Sequence, residues 1–386
     1  MSARVCLFGS AALASALTLG APAQALDDLS HYVFVPNRDS ADIAIIDTDT
    51  DRVVGRVPVG RVPHQVAVSE TEMKLVASNT ADDTISIVDL RTLEPLATVR
   101  LDHEPEHMEV GPAGDILAVG NIAAGTVSLV SLRENREVAR VDGLYDPHNM
   151  TFSPDGALLY VGNLGAGLVS VIDVARAAVI NEIPVGEVQS VASAGPADEE
   201  WQGVINVTRT PDGHLGFAAF GEGNAMAVLD LRTQETIKTL ALGELPWRAY
   251  TTADGRFMIT PNNGDRTISV VSTASLEEVA RLPGAADMTG VNTGWFETVA
   301  FVISRGEDKL VVLDLETMQP AGEIALPGSP ETGVTTPDGT KLYVALSEAD
   351  EVAVIDVRAR KVIKRIGDVG DGPWGAHMVG AINYCH

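Results

Sequence analysis

Residues 149–185 read NMTFSPDGALLYVGNLGAGLVSVIDVARAAVINEIPV, and the alternation of apolar runs and turns in this stretch decides the fold. Asn149 to Phe152 is a short strand. It runs into Ser153-Pro154-Asp155-Gly156, where proline presets φ and glycine accepts a positive φ, so the chain must turn back. Leu158 to Val161 forms the second strand, and Gly162-Asn163 with Gly165 to Gly167 break it. Leu168 to Val174 alternates at period two as a third strand, and Ala178 to Val185 supplies a fourth. The unit is a four-stranded antiparallel meander.

The rest of the chain repeats that unit. The third strand ends at Asp47, Asp89, Ser131, Asp173, Asp230, Ser272, Asp314 and Asp356, with spacings of 42, 42, 42, 57, 42, 42 and 42. The one irregular interval is a period plus an insertion of 15. A period in the low forties carrying four short strands predicts an all-β fold, an eight-bladed β-propeller with one unit per blade. Second strands end at Asn37, Asn79, Asn121 and Asn163, and Thr210-Pro211-Asp212-Gly213 and Thr336-Pro337-Asp338-Gly339 restate the first turn. Unit one begins at His31 to Val35 with its second strand, while Gly375 to Tyr384 is an orphan segment where a first strand is due. The propeller is therefore expected to close by pairing its N- and C-terminal strands, which removes the exposed sheet edges.

Residues 1–25 hold Arg4, an apolar stretch from Val5 to Leu19, and the small-residue site Ala23-Gln24-Ala25, the pattern of a secretory signal peptide. Residues 26–386 then form a single propeller domain. The apolar stretch is too short to span a bilayer and no later one reaches that length. Cys6 leaves with the peptide and only Cys385 remains, so no disulfide within the mature chain can form. Periplasmic location is expected, as a monomer. With 27 Lys plus Arg against 53 Asp plus Glu, the net charge is −26, which argues against nucleic acid and anionic lipid as partners.

Val57-Pro58-Val59-Gly60, Leu158-Leu159-Tyr160-Val161-Gly162-Asn163, Val169-Ser170-Val171-Ile172-Asp173 and Leu342-Tyr343-Val344 resemble the YVTN family of β-propeller repeats, including the periplasmic YncE-like proteins. The resemblance covers Tyr32 to about Met378. It implies the propeller fold and leaves function open, since the family includes surface proteins, proposed DNA binders and accessory proteins of quinone-dependent oxidation pathways. The eight-bladed ring also resembles the haem d1 domain of cytochrome cd1 nitrite reductase. No Cys-x-x-Cys-His motif for covalent haem is present, so only the architecture carries over.

Function in a propeller is expected where the innermost strands begin, at the mouth of the central channel. The repeat frame places His64, Glu106, His148, Ile205, Trp247, Thr289, Glu331 and Trp374 in one ring there. Gln65, His107, Asn149, Asn206, Arg248, Gly290, Thr332 and Gly375 follow them. Three neighbouring blades thus contribute His64, Glu106 with His107, and His148, a set suited to zinc, copper or non-haem iron with one coordination position open. On a regular strand Glu106 and His107 face opposite ways, so only one of them is expected to serve. The far side of the ring offers Trp247, Arg248, Glu331 and Trp374, with His377 three residues on, a combination suited to a planar anionic redox cofactor.

The insertion at 188–202 lies in a connection on the same face and reads as a lid over the mouth. Asp47 to Asp51 lacks the glycine and the distal glutamate of a calcium loop, and Cys385-His386 reads as an incidental terminal thiol. The function expected is binding of a small ligand, metal or redox cofactor at the mouth, accessory to a periplasmic oxidation pathway. The alternatives are a metal-dependent oxidoreductase or lyase using the His/Glu group, and a scaffold whose face binds a partner protein.

Overall fold

The computed structural model describes Leu26, residues 28–186 and residues 203–380. The expected signal peptide, the insertion at 188–202, and Cys385 with His386 lie outside the described residues, as do the last residues of the orphan segment. Among the described residues the chain forms eight four-stranded antiparallel sheets, and its only helical pieces are two three-residue 3₁₀ turns. The eight-bladed propeller read from the repeat is the fold. Blades 2 to 8 open with inner strands Pro63–Ser69, Pro105–Val110, Pro147–Phe152, Val204–Arg209, Tyr250–Thr251, Met288–Gly294 and Pro330–Thr335.

Blade 1 is made from both ends of the chain. His377–Met378 pairs with Tyr32–Asn37 in the register Phe34 with His377 and Val33 with Met378, and a bridge joins Asn37 to Pro373. Across the seam Lys341 Nζ reaches Asp51 at 2.8 Å and the Tyr343 hydroxyl donates to the same carboxylate. The ring is therefore sealed by a strand at its centre and by polar contacts farther out.

The repeated residues are the turn chemistry of the blade. Each third strand ends in an Asp or Ser whose side-chain oxygen accepts a backbone N–H of the outer hairpin, as Asp173 does from Arg176 at 2.9 Å and Ser131 from Glu134 at 3.1 Å. Four residues after each comes a left-handed residue, Asp51, Leu93, Asn135, Ala177, Gln234, Leu276, Met318 or Arg360, with φ between 50° and 59°. None is glycine. The asparagines ending the second strands are fully buried, and Asn79, Asn121 and Asn163 donate to Ser86, Ser128 and Ser170 of the third strands at 2.9–3.0 Å.

Second and third strands are buried on both faces because each blade is sandwiched between two neighbours, while outer strands such as Glu235–Ala241 alternate exposed and covered. The core is correspondingly a set of clusters between blades. In one, Tyr250, Ile259 and Val270 of blade 6 meet Val291, Ala300 and Val302 of blade 7. Burying side chains of this size contributes roughly 1.5–3 kcal/mol each.

Candidate functional site

Each inner strand of blades 2, 3, 4, 5 and 8 carries the same irregularity at its start. Pro105 pairs with Asn121 and Met108 with Val119, so Glu106 and His107 together oppose the single residue Gly120. The pairs His64-Gln65, His148-Asn149, Ile205-Asn206 and Glu331-Thr332 sit in the equivalent two-against-one bulges. A bulge cancels strand alternation locally. Glu106 and His107 therefore do not face opposite ways, as a regular strand would require: Glu106 Oε2 lies 3.7 Å from His107 Nε2 and 3.9 Å from His64 Nδ1. The residue opposite the bulge must be small where the next blade approaches, since a Cβ on Gly120 would stand 2.8 Å from the Pro147 carbonyl oxygen.

His64, Glu106 and His107 offer one donor atom each within 4.8 Å of one another. A tetrahedral ion with bonds of about 2.0–2.1 Å needs donors about 3.4 Å apart, so small side-chain rotations close the set. His148 joins it through His107, the two Nε2 atoms lying 2.9 Å apart. Asn149 ties both rings, its amide oxygen 3.0 Å from His148 Nδ1 and its amide nitrogen 3.2 Å from His107 Nδ1. Both histidines are buried, and Glu106 keeps one-fifth of its side chain exposed.

The tryptophans flank this group. Trp374 lies 6.4 Å from His64 and Trp247 lies 6.5 Å from His148, so an arc of five rings crosses the mouth as Trp374, His64, His107, His148, Trp247. The two halves of the ring expected from the sequence are thus one continuous surface. Arg248 is buried under it, its guanidinium 5.2 Å over the Tyr250 ring. Glu331, 2% exposed, is already engaged by Arg305 at 3.1 Å, Ser347 at 2.7 Å and Ser329 at 3.3 Å. His377 lines a recess with Ala67, Met108, Val110 and Met378.

Two arginines at the mouth escaped the sequence reading. Arg38 stacks on Trp374 with its guanidinium carbon 4.1 Å from the ring centroid, a contact worth about 0.5–2 kcal/mol. Arg305 holds Glu331 and Asp287. Both directly follow the last residue of a second strand, as does Ser347. The signal was one residue past the asparagine column, in turns on the face where inner strands begin.

Burial sets the electrostatics. It raises Glu106 to about 7 against the pull of Arg38, and it lowers His64 to about 3, with Arg38 adding to the effect. Burial likewise takes His148 to about 3, helped by the charge of Arg248. At neutral pH His64 and His148 are therefore uncharged imidazoles, the form that binds metals. Burial also raises Glu331, opposed first by its Ser347 hydrogen bond and then by Arg305.

A family model described as YNCE-like beta-propeller matches residues 75–382. No functionally curated protein matches the sequence. Among solved structures, dihydro-heme d1 dehydrogenase NirN in complex with DHE aligns with a TM-score of 0.74 and 17% identity over 92% of this chain and 76% of its own. Hydrazine synthase of Kuenenia stuttgartiensis aligns with a TM-score of 0.57 and 20% identity over 76% of this chain and 95% of its own. A functionally unknown protein from Desulfotomaculum acetoxidans DSM 771 aligns with a TM-score of 0.58 and 13% identity over 92% and 99%. These likenesses concern the fold, and the family match decides membership: the chain belongs to the YNCE-like β-propeller family.

Proposed function

We propose that this protein is exported to the periplasm and binds a first-row transition metal ion, zinc or copper, at the channel mouth through His64, Glu106 and His107. A small ligand would complete the coordination between the two tryptophans. The observation that carries the reading is the bulge, which turns two consecutive residues of one blade toward a histidine of the preceding one and so assembles three donors of the right chemistry. His148 and Asn149 serve as supporting groups that orient His107. Arg38 on Trp374 supplies a cationic, flat rim for an anionic or planar ligand. An accessory role in a periplasmic oxidation, with the ion or its ligand as cargo or cofactor, fits this arrangement.

Equilibrium dialysis of chelator-treated protein against zinc and copper tests it. About one equivalent should be retained, and His64→Ala combined with Glu106→Gln should abolish retention. Retention unchanged in that double variant would remove the site. Fractionation of cells expressing the native gene, with N-terminal sequencing of the mature chain, tests export: a chain that keeps Met1 contradicts it.

A further inference from the structure

The channel holds a second space past the ring. A cavity of about 430 Å³ is lined by the inner strands of blades 2 to 6, from the ring residues Gln65, Asn149 and Arg248 down to Thr252 and Ala253 in the turn after the blade 6 inner strand. It therefore opens toward the face opposite the histidine mouth. Its size is that of a small-molecule site.

Its walls carry a carboxyl group and a guanidinium that do not meet. Glu109 of blade 3 and Arg209 of blade 5 both line it, with Thr151 of blade 4 between them. Both lie near the ends of their inner strands, Arg209 one residue further along the repeat than Glu109 and Thr151. Arg209 acts on Glu109 through space, yet among the described residues no salt bridge joins them and neither side chain is hydrogen-bonded. Arg209 Nε is buried with no hydrogen-bond partner. Holding a carboxylate and a guanidinium in a recess without joining them is costly unless something else satisfies both. Between them the lining supplies apolar surface from Met108, Met150 and Val207.

We propose that this cavity binds a small zwitterion, an amino acid or a dipeptide, with its carboxylate on Arg209, its ammonium on Glu109 and its side chain against the methionines. A carboxylate and a guanidinium held two blades apart select a ligand that carries both signs. A simple anion would leave Glu109 facing like charge, and a simple amine would leave Arg209 unmatched. A guanidinium also offers the paired donors that a carboxylate accepts best. The reading is independent of the metal at the mouth, because Glu109 and Arg209 belong to neither the donor set nor its supports.

Calorimetry on chelator-treated protein tests it with L-leucine and the dipeptide Leu-Gly as probes, beside L-2-hydroxyisocaproate and isopentylamine, which lack the ammonium and the carboxylate respectively. At least one zwitterion should bind, at least tenfold more tightly than either single-charge analogue. Arg209→Ala and Glu109→Gln should each weaken it tenfold or more, and Glu109→Gln should also narrow the gap between leucine and its hydroxy acid. Arg209→Lys, which keeps charge and bulk, should retain part of the binding and shows that loss in Arg209→Ala is not unfolding. No zwitterion binding, equal binding of the hydroxy acid by the parent, or binding untouched by both variants overturns the proposal. Binding lost in His64→Ala but kept in Arg209→Ala would overturn it by moving the ligand to the mouth.

Discussion

His107 Nε2 lies 2.9 Å from His148 Nε2, so one ring must donate to the other. Asn149 decides which. Its amide N–H donates to His107 Nδ1 and its oxygen accepts from His148 Nδ1, which puts the His107 proton on Nε2 and makes His148 Nε2 the acceptor. The three side chains form a closed cycle of hydrogen bonds. A metal on His107 Nε2 must displace that proton to Nδ1 and turn the Asn149 amide over.

Nitrogen NMR of the histidines therefore has a defined outcome. Without metal, His107 should be the Nε2–H tautomer, and one equivalent of zinc should convert it to Nδ1–H. Asn149→Ala should weaken metal retention about 10–100-fold, as loss of an orienting group does. A His107 tautomer indifferent to zinc would remove it from the ligand set.

Two glycine substitutions should act in opposite directions. Gly120→Ala forces a Cβ to within 2.8 Å of the Pro147 carbonyl oxygen, beside the bulge that carries His148. It should cost more than about 1 kcal/mol and disturb metal retention as well. Ala177→Gly sits in the outer turn of blade 4 at φ 50°. Removing its Cβ should stabilise by about 0.5–1 kcal/mol, relief of left-handed strain outweighing the added chain entropy. Chemical denaturation of both variants checks the signs, and a stabilised Gly120→Ala would refute the close-approach argument.

Closure of the ring predicts a large effect from a short deletion. Removing the residues after Trp374 takes away Ala376, His377 and Met378, leaves Tyr32–Asn37 as an open inner edge, and uncovers the cluster of Val33, Val35 and Ala44 that Ala376 and Met378 help to cover. The melting temperature should fall by many degrees and the protein should associate through the bare edge. A truncated protein that melts like the parent would show that the terminal strand does not bear on closure.

His377 gives stability a pH dependence with a definite sign. Burial lowers it to about 4, against 6.5 for the unfolded chain. Between those values the unfolded chain binds the extra proton, so its contribution is present above pH 6.5 and is lost as pH falls to 4, on the order of 3 kcal/mol in all. Glu70 lines the same recess. His377→Gln should flatten the acid limb of a stability-against-pH curve; an equally steep limb would mean that His377 is charged in the folded protein.

The fold was legible because each blade repeats its turn residues, and a turn residue acts locally: Asp173 caps its own hairpin and Asn163 pins its own third strand. The ring of inner-strand starts followed from the same frame, including His64, Glu106, His107 and His148. What the frame could not show was the bulge, a register break between strands that leaves no mark in spacing, so Glu106 and His107 read as alternatives although they converge. Arg38 and Arg305 were missed because the turn after the second strand has no fixed residue type from blade to blade. Glu109 and Arg209 become partners only through the curvature that brings blades 3 and 5 to one cavity.

The most direct test of the metal assignment is a crystal structure of zinc-loaded protein with anomalous data at the zinc edge. One peak is expected at the channel mouth, bonded at about 2.0–2.2 Å to a nitrogen of His64, a nitrogen of His107 and a carboxylate oxygen of Glu106. A mouth without a peak in protein that holds zinc, or a peak bonded to Cys385 and His386 instead, would contradict it.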